Sequence, residues 1–168
     1  MRAEMGERME IRYGTPADLE AVTALERTCF PPGEAAGREE FALRLRYYGS
    51  HFWLLWEGDK LISFVDGFVT DLRDLTDEMY ARADMHDEHG AWQMIFGVNT
   101  HPEYRRRGCA ALLLRRAIAD AEAQGRQGMV LTCKPELIRY YARFGFRDEG
   151  VSASVHGGAK WVQMRLSF

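Results

Sequence analysis

The chain has 168 residues, enough for one domain and short for two. Hydrophobic residues make up 46% and aromatic residues 12%, so a sizeable core can be buried and whole-chain disorder is excluded. Lysine and arginine number 22 against 25 acidic residues, a net charge of -3 that gives no general pull toward nucleic acid or anionic lipid.

The cysteines, Cys29, Cys109 and Cys133, have no C-x-x-C spacing, which argues against a disulfide framework or a zinc site and for reduced thiols. Met1–Glu10 holds no apolar leader, and no apolar run nears the roughly 20 residues that a membrane span needs. These features predict a soluble, cytoplasmic protein without a nucleic-acid or membrane partner.

In chain order, the alternation at Ile11 and Tyr13 predicts a strand, and Thr15-Pro16 opens a helix carrying Val22, Leu25 and Cys29 at helical spacing. Pro31-Pro32-Gly33 stops it. A second helix starts near Ala35, buries Phe41, Leu45 and Tyr48, and closes at Gly49. His51–Glu57 and Leu61–Thr70 form a hairpin about Gly58-Asp59-Lys60. Asp71–Gly90 is a polar, mobile connection with one helical turn around Asp77–Arg82. Ala91–Thr100 is a central strand, and Leu112–Ala121 marks an amphipathic helix ending at Gly125. Met129–Cys133 is a buried strand, and Pro135–Arg143 a helix leaving through Phe144-Gly145-Phe146. Val151–Val155 and Trp161–Leu166 make a last hairpin around His156-Gly157-Gly158. The order predicts an α/β (α+β) fold with one central mixed, mostly antiparallel sheet flanked by helices.

Chemistry concentrates in Val98-Asn99-Thr100-His101-Pro102-Glu103-Tyr104-Arg105-Arg106-Arg107-Gly108-Cys109-Ala110. A buried strand runs through a basic loop into a helix, whose first amides lack internal partners and lie at the positive end of its dipole. Gly108 and Ala110 let an anion approach those amides, and arginines add charge-assisted contacts. Neither G-x-x-x-x-G-K-[ST] nor G-x-G-x-x-G occurs, so kinase and dinucleotide-binding readings fall.

Arg105-x-x-Gly108-x-Ala110 resembles the R/Q-x-x-G-x-G/A signature of the GNAT acetyltransferase superfamily. Tyr140-Tyr141-Ala142-Arg143-Phe144-Gly145-Phe146 resembles that superfamily's last-helix motif, and more narrowly the F-Y-x-R-F-x-F of arylalkylamine N-acetyltransferases. His156-Gly157-Gly158 before Trp161-Val162-Gln163-Met164 is similar to the closing hairpin of a branch that includes polyamine acetyltransferases. The resemblance runs from about Glu10 to Phe168 and implies a GNAT fold over residues 1–168. It implies acetyl-CoA as co-substrate, with the strand backbone at Val98, Asn99 and Thr100 pairing the pantetheine arm. Arg105, Arg106, Arg107, Gly108, Cys109, Ala110 and Ala111 would surround the pyrophosphate.

It also implies Tyr141 as the acid that protonates the departing thiolate. Tyr140 is read as packing. The vertebrate arylalkylamine pattern has two histidines where this chain has Met94 and Phe96, so the base must lie elsewhere. Glu34, in the loop after Pro31-Pro32-Gly33, is one candidate, as base or acceptor-binding group; insect relatives place a glutamate there. Asp66, a carboxylate inside an apolar run, is the second candidate and is read as substrate-binding. His101 shapes its loop. His86 and His89 have no cysteine partner, and no metal is assigned. Cys109, at a helix start, is expected to have a lowered pKa.

The expected reaction is direct acetyl transfer to a primary amine, with small arylalkylamines or polyamines favoured. A peptide or protein amine is the alternative acceptor. A non-catalytic acyl-CoA sensor and a basic-loop RNA binder are rivals from other classes. A monomer or a homodimer fits the sequence equally.

Overall fold

The computed structural model describes residues 8–168, so part of the amino-terminal stretch read as leaderless lies outside it. Strand β1 (Met9–Tyr13) enters a 3-10 turn at Pro16–Asp18, where the Asp18 carboxylate takes the Thr15 N–H at 2.8 Å. Helix α1 (Leu19–Cys29) follows directly, and α2 (Arg38–Tyr48) starts later than the sequence suggested, behind Gly37 in extended conformation. Then come β2 (Phe52–Glu57) and β3 (Lys60–Asp66), paired antiparallel through the Gly58 turn.

The side chains of β2 alternate between two cores. Phe52, Leu54 and Trp56 join Val22, Leu25, Phe41, Leu45 and Tyr48 under α1 and α2. Trp53 and Leu55 join Leu113, Leu114 and Ala117 of α4 (Cys109–Ala123) on the opposite face. The sheet is therefore the middle layer between two helical layers, and each fully buried large side chain contributes about 1.5–3 kcal/mol. Asp120 of α4 pins the first two strands, accepting from Trp53 Nε1 at 2.8 Å and from the Tyr13 hydroxyl at 2.7 Å.

The predicted strand Leu61–Thr70 is broken at Gly67, because a side chain there would collide with the Met94 carbonyl. It resumes as β4 (Val69–Thr70), which pairs with β5 (Trp92–Ile95). The predicted strand Ala91–Thr100 is likewise broken at Phe96, giving β5 and β6 (Gly97–Thr100). The mixed sheet thus consists of two hydrogen-bonded parts, ordered β1-β2-β3-β6 and β4-β5-β7-β9-β8, where β7 is Gly128–Cys133, β8 Arg147–Val151 and β9 Val162–Ser167. All pairings are antiparallel except β5 with β7.

Two expectations are corrected. Val151–Val155 is not a strand; the partner of β9 is Arg147–Val151, an exposed edge whose charges blunt further pairing. Asp71–Gly90, read as a mobile connection, makes ion pairs with the rest of the chain at both ends. Its helix α3 (Asp77–Ala81) lies where the single turn was expected, and Asp74 binds Arg165 at 2.8 Å. Near the end of the segment, Glu88 pairs with His51 at 2.9 Å and with Arg126 at 3.0 Å.

His51, His86 and Glu88 bring possible ligand atoms within 4.8 Å of one another, and His89 has no part in the group. Gln93 Nε2 donates to the carbonyls of Gly67, Phe68 and Met94, so its Oε1 faces His51 Nδ1 as acceptor at 2.9 Å. His86 Nδ1 accepts from the Val69 N–H, which leaves its Nε2 proton for Glu88. Among the described residues no helix is long and apolar enough to cross a membrane.

Candidate active site

The break at Phe96 makes the site. As far as Ile95 and Leu131, β5 and β7 run parallel and bonded; beyond them β6 turns to β3 while β7 continues with β9. One edge of β6 is left without a strand partner, and a cleft opens between it and Thr132-Cys133. Phe96 is held at the parting by its N–H, which donates to the Asp66 carbonyl at 2.7 Å.

At one end of the cleft a groove runs along Val98 and Thr100 to the start of α4. Arg106 at φ 63° and Gly108 at φ 79° fold the loop in the left-handed region, so the chain turns sharply into the helix. The first intrahelical bond is Leu112 N–H to the Gly108 carbonyl, which leaves the amides of Cys109, Ala110 and Ala111 to the groove. Arg105, Arg106 and Arg143 border it, and so does Tyr140, which was read as packing alone. These free amides, the helix dipole and the arginines form a cradle that fits a pyrophosphate.

Not every predicted cofactor residue faces this groove. Arg107 turns outward over the Tyr104 ring, 5.1 Å from its centroid. The Asn99 side chain is buried on the other side of β6, and the expectation for Asn99 concerns its backbone, which this does not affect. Cys109 is buried, and desolvation raises its thiol pKa, the reverse of the expected lowering. His101 shapes its loop as read, its Nδ1 accepting from the Glu103 N–H at 3.2 Å.

At the other end lies a cavity of about 290 Å³. Its walls are aromatic, from Phe30, Tyr80, Phe96 and Trp161, and acidic, from Glu26, Glu34 and Glu40. Arg44 and Lys134 face those carboxylates. Tyr141, on α5 (Ile138–Ala142), lines both the groove and the cavity. It is 7% exposed, and burial raises its phenol pKa, so it is protonated at neutral pH.

Glu34 does reach the cavity, bound to Lys134 at 2.9 Å. Asp66 does not line it. It is fully buried beneath Gly97 and paired with Arg44 at 3.2 Å. Arg44, buried to 3% exposure, also donates to the Tyr80 carbonyl at 2.9 Å and lies over the Phe41 and Phe96 rings.

Several lining residues were not singled out from the sequence. Glu26 and Arg44 sit on the apolar faces of α1 and α2, and this misplacement is the signal that could have found them. Tyr80 stacks on His156 at 5.1 Å, and His156 Nε2 contacts the Glu34 carbonyl at 2.9 Å. The His-Gly-Gly turn is therefore a cavity wall as well as a turn.

The model of the acetyltransferase (GNAT) family matches residues 19–146, a span that includes the cleft, the loop and Tyr141. The chain belongs to that family. It is an acyl-CoA-dependent acetyltransferase whose co-substrate is acetyl-CoA, and the groove described above suits that molecule's phosphates.

Among curated proteins it is similar to serotonin N-acetyltransferase of Mesocricetus auratus, 26% identical over 164 residues that cover 94% of this chain and 77% of that one. Among solved structures it shares its fold with the loading GNATL domain of CurA from Lyngbya majuscula, at a TM-score of 0.81, 18% identity and coverage of 95% and 97%. The PaiA N-acetyltransferase of Thermoplasma acidophilum, solved in complex with coenzyme A, matches at a TM-score of 0.70, 15% identity and coverage of 95% and 99%. Met94 lies in the core and Phe96 on the cavity wall.

Proposed function

We propose that the protein moves the acetyl group of acetyl-CoA directly to the primary amine of a small arylalkylamine or polyamine, with residues 1–168 acting as one catalytic unit. The observation that carries this reading is the shared wall. Tyr141 borders both the anion-binding groove and the acidic cavity, so a thioester in one and an amine in the other would meet beside its phenol. The aromatic walls suit an aryl or alkyl body, and the carboxylates suit the ammonium end. At about 290 Å³ the cavity is at the small end of ligand sites, which favours a small molecule over a peptide. The 26% likeness to serotonin N-acetyltransferase supports an arylalkylamine acceptor.

Acetyl-CoA supplies the activated acetyl group. The unpartnered edge of β6 offers amide and carbonyl groups to the pantetheine arm as a neighbouring strand would. The amides of Cys109–Ala111, with Arg105 and Arg106, bind the pyrophosphate. Tyr141 donates a hydrogen bond, and then its proton, to the departing sulfur. Desolvation weakens the phenol as an acid, and it equally disfavours a bare thiolate in the same dry cleft, so burial does not exclude the transfer. Glu34, held by Lys134, orients the mouth of the cavity and draws the cationic acceptor.

The test is initial-rate thiol release from acetyl-CoA across arylalkylamines, diamines and short peptides with free α-amines. The expected ranking puts kcat/KM for a small amine above that of every peptide by about tenfold or more, since a cavity of about 290 Å³ has little room for a chain. A peptide at the top of the ranking would overturn the assignment of the acceptor.

A further inference from the structure

The carboxylate read from the sequence as the base, Glu34, is held in an ion pair: Lys134 Nζ donates to Oε2 at 3.1 Å and lies 2.9 Å from Oε1, which is buried and has no hydrogen bond of its own. Another carboxylate in the same cavity is differently placed. Glu26 is 6% exposed; its Oε2 accepts the Ala36 N–H at 2.8 Å, and its Oε1 is buried without a hydrogen-bond partner.

That free oxygen belongs to a group. Asp66 Oδ1 and Asn99 Nδ2 are also buried and unpartnered, and all three converge on Gly97. A Cβ on Gly97 would lie 3.0 Å from Asp66 Oδ1, 3.2 Å from Asn99 Nδ2 and 3.8 Å from Glu26 Oε1. Gly97 itself lines the cavity where the cleft opens. Glu26 is the member of this group that lines the cavity, Asp66 lies beneath Gly97, and the Asn99 amide bears on Glu26 as a donor; a buried carboxylate oxygen left short of donors costs about 1–3 kcal/mol.

We propose that Glu26, rather than Glu34, binds the acceptor's ammonium group in the recess over Gly97 and takes its proton. The proposal rests on the acetyl-transfer reading and names the residue that prepares the amine. One N–H bond of the ammonium breaks, and its proton goes to Glu26 Oε1, leaving the nitrogen lone pair free. That pair forms the C–N bond as the C–S bond breaks. Tyr141 gives its proton to sulfur and regains one from nitrogen, and Glu26 later releases the first proton to solvent. The sum is one amide, one thiol and one proton.

Burial supports the role by pushing the Glu26 carboxyl up to about 7, near the operating pH that suits a general base. The groups that face it are Asp66 on β3, Arg44 and Glu40 on α2, Cys29 on its own helix, and Glu34 with Lys134 and His156 across the cavity. Arg44 is the cation that holds the cluster, and it is committed to Asp66.

The test is the pH profile of kcat/KM for wild type, Glu26→Gln, Glu26→Asp and Glu34→Gln, with acetyl-CoA affinity measured by calorimetry. Wild type is expected to lose activity below about pH 7. Glu26→Gln is expected to fall roughly a hundredfold and lose that acid limb while binding acetyl-CoA normally. Glu26→Asp and Glu34→Gln are expected to keep the limb. A limb retained in Glu26→Gln, or lost in Glu34→Gln, overturns the proposal. Gly97→Ala, which fills the recess, is expected to raise KM for the amine and leave acetyl-CoA affinity intact; an unchanged amine KM counts against it.

If no amine turns over, the transfer reading fails on its own. The Glu26 titration is then read by difference infrared spectroscopy of Glu26→Gln against wild type. A carboxyl signal that disappears around pH 7 supports the proposal, and a Glu26 already ionised at pH 5 contradicts it.

Discussion

Glu26 and Asp66 are carboxylates inside a core, and their cost is a matter of pH. Burial raises the first from 4.5 to about 7 and the second from 3.8 to about 6. A raised carboxyl means that the fold prefers the protonated form. The stabilisation is complete below the unfolded values and is lost as pH rises through the folded ones, between about pH 4 and pH 7. Glu26→Gln removes one such group, so its stability relative to wild type should rise by up to about 3 kcal/mol between pH 5 and pH 8. Urea denaturation at the two pH values measures this, and a difference that does not change with pH would contradict it. Gly108 presents a simpler case. At φ 79° an alanine pays roughly 1–2 kcal/mol, and with the loop displaced the KM for acetyl-CoA should rise about tenfold at unchanged kcat. Steady-state kinetics with acetyl-CoA varied settle the point; an unchanged KM would show that the loop does not hold the phosphates. These residues differed in how far the sequence revealed them. The loop residues from Arg105 to Ala111, all but Arg107 of them in the groove, are contiguous, so spacing exposes them, whereas Glu26, Arg44 and Asn99 lie on separate elements and meet only when the sheet brings them together.

Helix α3 shows how a short element shapes a site, through Tyr80 in the cavity wall and through a contact further off. Its first residue, Asp77, accepts the Ser154 hydroxyl and the Val155 N–H, fastening the 152–161 segment that carries His156 and Trp161 into the cavity wall. Asp77→Ala should loosen that wall. The KM for the amine is expected to rise several-fold, with the KM for acetyl-CoA unchanged, since the groove lies on the far side of Tyr141. Equal changes in both constants would mean that the segment does not belong to the acceptor site alone. The helices and the β2–β3 hairpin were legible because hydrophobic period and turn residues agree there. The Val151–Val155 strand was misread because its valines suggest burial while both are exposed, at 65% and 75%. The paired strand has charges at Arg147, Asp148 and Glu149, a pattern of edge protection that periodicity does not detect.

Across the whole molecule, function follows from one interruption of the sheet. Gly67 and Phe96 break strands that the sequence presents as continuous, and β6 leaves β7 to open the cleft. The order of elements was legible; the break was not, because it depends on the approach of Gly67 to the Met94 carbonyl, a contact between distant residues. The same break aligns the groove, Tyr141 and the acidic cavity in one line. The most direct measurement is therefore thiol release from acetyl-CoA by wild type and Tyr141→Phe with the best amine, beside calorimetric titration of acetyl-CoA into each. The account predicts that kcat falls roughly a hundredfold in Tyr141→Phe while acetyl-CoA affinity stays within about twofold. Parallel losses in rate and affinity would make Tyr141 a packing residue and contradict its place at the point of transfer.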